Sequence, residues 1–317
     1  MKVIKTEHAG IQVDCDISKL SEQDYQDINE LYLDNLLVTF VNQPFETLPF
    51  AKLIHKMGTF ANWDQMLWEQ SGKVLKKCGF IDPFIYETDS LQPDPDNSYP
   101  VQRVTGEKTD KGLATGIFGN GELDWHSNMN GDMDRARGVA LQGAWHCEGT
   151  HTAFMDTVKA YADMSDELKE RCQDVIGHYE YAPENWAKGV PTPQLQLMKG
   201  FGMVDHRYTM PLVNEGFNGK KGLYFHFHNN CKFRGDKELK QILMDHCFQS
   251  KYIYQHKWHP GDIVISDQVL TLHKRVEWEP EIIAKQVLHR ITFHYDNMID
   301  DYFDKYTKIK ESNTLEY

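Results

Sequence analysis

From Thr209 onward the chain is cut into short β-rich runs: Met210–Val213, Gly222–His228, Tyr252–Tyr254, Asp262–Ile265 and Leu288–His294. They favour β-branched and aromatic residues and are separated by Gly, Pro, Asn and Asp, the signature of strands joined by turns. One helical pattern, Lys237–Phe248, interrupts them. This last third of the chain must fold mainly as sheet, and the remainder has to brace it.

The first 180 residues supply the brace. Residues 1–20 alternate apolar and polar as short edge strands do. Ser21 then stands as a helix N-cap with Asp24 reaching back to it, and Tyr25, Ile28, Leu31 and Tyr32 share the following helical face. Leu36–Val41 reads as a buried strand and Phe50–Phe60 as a second amphipathic helix. Gly138–Trp145 is a core strand, and Gly149–Asp156 leads into a helix ending near Ser165. A further helix starts near Asp166, with Leu168 and Cys172 inward. Residues 88–120 and 183–200 are dense in Gly, Pro, Asp and Asn and read as loops. With no internal repeat or linker, the expectation is one domain over 1–317, mainly β with flanking helices, an α+β fold.

Composition narrows the partners. Hydrophobic residues make up 40% and aromatics 12%, enough for a packed core. A net charge of -13 argues against nucleic acid, which needs a basic face. The six cysteines are scattered, with no Cys-x-x-Cys, as expected of free thiols. The N-terminus has no apolar signal core, and no apolar run reaches the ~18 residues of a membrane span. A cytoplasmic protein acting on a small molecule is the expectation. There is no Gly-x-Ser-x-Gly for a serine nucleophile, and no Gly-x-Gly-x-x-Gly or phosphate loop for a nucleotide.

Two histidine stretches carry the chemistry. His126 and Asn128 lie two apart at a strand or strand end, so their side chains share a face. His273 follows 147 residues later, just past a strand. Two imidazoles and one oxygen ligand on one side of an iron leave positions open for oxidant and substrate, the arrangement of non-haem Fe(II) oxygenases. A lone strand histidine is more often a satisfied polar residue, so the pair matters more than either member. His226-x-His228 is a competing pair, read as lining a pocket rather than holding a metal. The neighbouring Tyr224, Phe225 and Phe227 read as core, and His146, His151 and His289 as structural.

Several segments, in order, resemble the TauD/TfdA family of Fe(II)- and 2-oxoglutarate-dependent oxygenases, almost end to end. Asp34–Gln43 resembles its early strand, and Trp125-His-Ser-Asn128 its Trp-His-x-Asp motif. Gly149–Asp156 resembles its Gly-Gly-x-Thr-x-Phe segment, and Met210-Pro-Leu-Val213 with Lys221–Tyr224 its Pro-Leu-Val and Lys-x-Leu-Tyr strands. Trp258-His-Pro-Gly-Asp262, Asp267-Gln268 and His273 resemble its Trp-x-Pro-Gly-Asp to His segment, and Val287-Leu-His-Arg290 its closing Met-His-Arg strand. The resemblance implies a double-stranded β-helix, or jelly roll, and a hydroxylase of unactivated C–H bonds. It implies Fe(II) held by His126, Asn128 and His273, and 2-oxoglutarate contacted by Thr152 and Arg290. The substrate would be small and anionic or zwitterionic. Self-association into a homo-oligomer is suggested by family analogy alone.

Two departures bear on that picture. Asn128 stands where the family has a carboxylate, and a neutral amide holds a divalent cation less firmly. Asp124, two residues before His126, is either a substitute carboxylate or a partner orienting His126. Gln286 stands where the family usually has the arginine for 2-oxoglutarate. Arg290 then serves either cosubstrate or substrate, with Lys285 as a further candidate. Three readings follow: an active oxygenase, a jelly-roll protein that binds without turnover, and a halogenase-like variant, disfavoured because Asn128 would obstruct a halide.

Overall fold

The computed structural model describes residues 1–57, 77, 84–88, 98–116, 123–127, 138–181, 192–200, 206–216, 219–225, 231–233, 236, 238–276 and 279–293. Its largest sheet takes strands from both ends of the chain. In spatial order these are β1 (Lys2–Lys5), β2 (Ile11–Asp14), β3 (Leu37–Phe40), β14 (Ile263–Asp267), β6 (Gly138–Gly143), β16 (Val287–Phe293), β5 (Ser98–Thr105) and β4 (Phe84–Thr88). All neighbouring pairs are antiparallel except β2 and β3. A smaller sheet runs β13 (Ile253–Lys257), β7 (His151–Asp156), β15 (Thr271–Arg275). A third joins β12 (Lys232–Phe233), β8 (Ile176–Tyr181) and β9 (His206–Pro211), and β10 (Val213–Glu215) pairs with β11 (Lys221–Leu223).

Strand alternation explains the layers. On β16, Leu288 and Arg290 point to one face and His289, Ile291 and Phe293 to the other. The second face lies under two helices. Ile291 and Phe293 pack with Val38, Phe40, Ala140, Ile263 and Ile265, and with Ile28 and Tyr32 of α1 (Glu22–Asn35) and Phe50, Leu53 and Ile54 of α2 (Thr47–Met57). The first face meets the smaller sheet. Val104, Val139, Leu141, Val264 and Leu288 pack against Phe154, Tyr254 and Trp258. The far side of the smaller sheet, with Ala153, Met155 and Leu272, is covered by Ala160 of α3 (Thr157–Ala162) and by residues of α6 (Leu239–Cys247), which buries Leu239, Leu243 and Cys247. Two sheets thus face one another between helical layers, with a cleft at one end of the shared interior.

Local chemistry sets the elements. Ser21 and Asp24 cap α1 reciprocally: the Ser21 hydroxyl accepts from the Asp24 N–H and the Asp24 carboxylate from the Ser21 N–H. Gly261 turns the chain from β13 into β14 at φ +91, and a Cβ there would lie 2.0 Å from the Gln43 carbonyl oxygen. Asp267 then ends β14 by accepting from the N–H groups of Val269 and Leu270 at 2.8 and 2.7 Å.

Four expectations need correction. Within the supposed loop 88–120, Ser98–Thr105 is a strand of the large sheet, between β16 and the edge strand β4; the surrounding turn formers hid its short alternation. Within 183–200, α5 (Thr192–Gly200) is helical, with Pro193 in the first turn, where its missing N–H has no partner to lose. The strand expected over Gly222–His228 stops at Leu223; Tyr224 and Phe225 continue as buried core without a strand, and 226–230 lie outside the described residues. His273 lies inside β15 rather than past a strand.

Candidate active site

His126 and His273 are direct neighbours across an isolated antiparallel bridge. The His126 N–H donates to the His273 carbonyl at 3.0 Å, and the His273 N–H donates to the His126 carbonyl at 2.8 Å. A pair exchanging both bonds projects its side chains to one face, and the ring centroids lie 4.2 Å apart. The next residue pins the segment: the Ser127 hydroxyl donates to the Gln268 carbonyl at 2.5 Å. Both rings are buried.

The main chain fixes the tautomer of the His126 ring. Its Nδ1 lies 2.6 Å from the Asp124 carbonyl oxygen. A carbonyl only accepts, so Nδ1 holds the proton and Nε2 keeps its lone pair. Burial foremost, with the charges of Arg290 and Arg275 behind it, pushes the His126 pKa down to about 4 against the pull of that carbonyl. The imidazole is therefore neutral at pH 7, as metal binding requires. Asp124 orients His126 through its main chain, not its carboxylate, whose Oδ1 accepts from the Trp125 N–H at 2.7 Å. Among the described residues no three His, Cys, Asp or Glu side chains gather as a metal-binding group. Asn128, His226 and His228 lie outside the described residues.

Around the two imidazoles opens a cleft whose empty space, open solvent included, is ≈ 540 Å³. Thr152, Arg275, Gln286 and Arg290 supply its other polar walls, and Val104, Leu141 and Leu288 much of its apolar wall. Thr152 sits on β7, where its Oγ1 accepts from the Trp258 indole N–H at 2.9 Å. Gln286 donates to the Thr150 hydroxyl at 2.6 Å, and that hydroxyl donates to the Cys147 carbonyl. Arg290 enters from the large sheet, its Nη1 donating to Gln102 Oε1 at 2.6 Å. Burial lowers the Arg275 pKa to about 10, which leaves it charged at neutral pH. Two guanidiniums and no described carboxylate line a cleft in a chain of net charge -13. Such a cleft suits an anion.

Arg275 is the residue that sequence reasoning missed. The signal was present: two positions after His273 on one strand means the same face. It lay unused because His273 was placed beyond its strand. His289 points to the opposite face of the sheet from Arg290, among Phe45 and Trp145. His146 is exposed at φ 55, and His151 sits at the cleft rim with Nδ1 3.1 Å from Gln255 Nε2. Lys285 is not among the residues lining the cleft. The five described cysteines are free thiols. No helix among the described residues is long and apolar enough to cross a membrane.

The model of the taurine catabolism dioxygenase TauD, TfdA family matches residues 4–292. The chain is 26% identical over 167 residues to the (S)-phenoxypropionate/alpha-ketoglutarate-dioxygenase of Sphingobium herbicidovorans, covering 50% of this chain and 58% of that protein. It is 24% identical over 185 residues to the alpha-ketoglutarate-dependent 2,4-dichlorophenoxyacetate dioxygenase of a Burkholderia species, covering 53% of this chain and 57% of that one. The chain thus spans little more than half the length of these two relatives. The crystal structure of AAD-2 in complex with Mn(II) and N-oxalylglycine superposes with a TM-score of 0.61 at 17% identity, covering 93% of this chain and 98% of the other. At that identity the likeness shows the fold, and the two facing sheets are the jelly roll of TauD-type dioxygenases. With the family match running from the first strand to the last, the chain belongs to the TauD/TfdA family.

Proposed function

We propose that residues 1–317 act as one jelly-roll oxygenase domain, dependent on Fe(II) and 2-oxoglutarate, that hydroxylates an unactivated C–H bond of a small anionic or zwitterionic molecule. The observation that carries this reading is the exchange of both main-chain hydrogen bonds between His126 and His273, with their rings 4.2 Å apart. The donor set suits Fe(II): two imidazoles, of which His126 is neutral with Nε2 presented, and the amide oxygen of Asn128 as a neutral third ligand. Iron and 2-oxoglutarate, when bound, supply the oxidising power by which dioxygen puts one oxygen atom into the substrate and one into succinate, with release of carbon dioxide.

The chain's own residues hold and exclude. His126 and His273 fix one face of the metal. Thr152 and a guanidinium take the far carboxylate of 2-oxoglutarate; Arg290 serves that carboxylate or an anionic group of the substrate. Val104, Leu141 and Leu288 keep water from the reacting C–H bond. The two curated relatives are named for aryloxy-carboxylates. Both are anions, in keeping with a cleft that holds more than one positive charge.

One observation favours a second reading, a protein that binds without turnover: residue 128 is an asparagine, so the set has no carboxylate at that position. Anaerobic protein mixed with Fe(II) and 2-oxoglutarate separates the two. The expected result is a weak visible charge-transfer band, lost in His126→Ala, together with succinate release in air. No band at high protein and iron concentration defeats the oxygenase reading. Asn128→Asp then reports on tuning. Loss of an existing turnover marks Asn128 as suited to the task, whereas new succinate release marks a disabled parent site.

A further inference from the structure

The cleft presents two guanidiniums from opposite walls, and their surroundings differ. Arg275 lies on β15 two residues beyond His273, so it shares the face of that imidazole at about 7 Å along the strand. Its register partner on β7 is Thr152. The Thr152 hydroxyl has one proton to give and two lone pairs; the Trp258 indole N–H takes one lone pair at 2.9 Å. The hydroxyl is thereby biased to donate. A fork of N–H groups and an O–H donor thus stand side by side on the smaller sheet, next to the metal-binding face. Gln286, across the cleft, has its amide engaged with the Thr150 hydroxyl at 2.6 Å and brings no charge. Arg290 comes from the large sheet, flanked on its own strand by Leu288 and across the ladder by Leu141, with Nη1 on Gln102. Its setting is an apolar wall with one positive charge.

We propose that Arg275, with Thr152, binds the far carboxylate of 2-oxoglutarate, and that Arg290 faces the organic substrate and selects for its negative charge. The proposal rests on the oxygenase reading above and assigns its two charges. A short diacid that chelates the metal with its 2-oxo acid end then spans from the imidazoles to the Arg275–Thr152 pair along one sheet. The substrate enters against the other.

The test is a calorimetric titration of the Mn(II)-loaded, full-length protein with 2-oxoglutarate and with 2-oxopentanoate, which chelates alike but ends in a methyl group. The wild type is expected to prefer 2-oxoglutarate. In Arg275→Gln that preference collapses, with affinity for 2-oxoglutarate falling roughly 100-fold for the loss of a charge-assisted bidentate contact. Binding of 2-oxopentanoate stays unchanged, which also shows that the variant is folded. Arg275→Lys, which keeps the charge without the fork, falls between. Arg290→Gln keeps the preference. Full discrimination in both Arg275 variants, or its loss in Arg290→Gln, overturns the assignment while leaving the oxygenase reading intact. If the wild type takes up neither acid in the presence of Mn(II), the oxygenase reading fails and this assignment falls with it.

Discussion

His289 shows how the same strand sends one residue to the cleft and the next to the opposite, helix-covered face. It follows Leu288 and precedes Arg290, yet it lies 1% exposed on the helix-covered side, with its Nδ1 3.4 Å from the Thr47 hydroxyl. Burial, and secondarily the charge of Arg103, pushes its pKa from 6.5 to about 4. The consequence for stability has a definite sign. Above pH 6.5 the ring is neutral whether the chain is folded or not. Between pH 6.5 and 4 only the unfolded chain takes up the proton, so stability falls as pH falls, and below pH 4 the contribution levels off. The full effect is on the order of 3 kcal/mol. The urea midpoint of the metal-free protein is therefore expected to drop across that window, with His289→Gln showing a shallower drop. Equal slopes in the two proteins would refute the assignment. Asp262 illustrates the opposite balance. Burial alone would raise its pKa, but contacts from His256 and the Asn42 and His259 N–H groups outweigh it and hold the carboxyl low.

Elements were legible where one local rule decided them. The reciprocal cap at Ser21 and Asp24, the short strands of residues 1–20, of which only β1 is an edge, and the buried run at β3 all appear where the pattern put them. The cap is worth about 1 kcal/mol, so Ser21→Ala should lower the unfolding free energy by that amount and leave cosubstrate binding untouched. Thermal melts beside a binding titration check both halves. Elements failed where two rules competed. Pro193 signals a break in mid-segment but a start in the first turn, and nothing local tells these apart. Ser98–Thr105 became an inner strand of the large sheet because β16 and β4 pair with it, a tertiary fact that turn formers on either side obscured. The pairing of His126 with His273 was legible only through family resemblance, since no local pattern spans the intervening residues. Arg275 was legible by strand parity once His273 is placed within β15.

At the scale of the whole molecule, the cleft draws on both facing sheets: His273, Arg275 and Thr152 from one, Arg290, Leu288, Leu141 and Val104 from the other. A ligand that touches both walls ties the sheets together and stabilises the folded chain by mass action. At a hundredfold excess over its dissociation constant the gain is about 2.7 kcal/mol. Mn(II) with N-oxalylglycine should therefore raise the melting temperature by several degrees in the wild type and leave His126→Ala unmoved; an equal rise in that variant would place the ligand elsewhere. The main-chain exchange between the two histidines carries a further consequence. Residues 147 positions apart are held together by main-chain pairing that leaves the imidazoles themselves out of the bonding. A cation bound by the two imidazoles is therefore expected to be replaceable. A chelator should strip it without unfolding its host, and one divalent species should exchange for another with no change in the urea midpoint of the chelated protein.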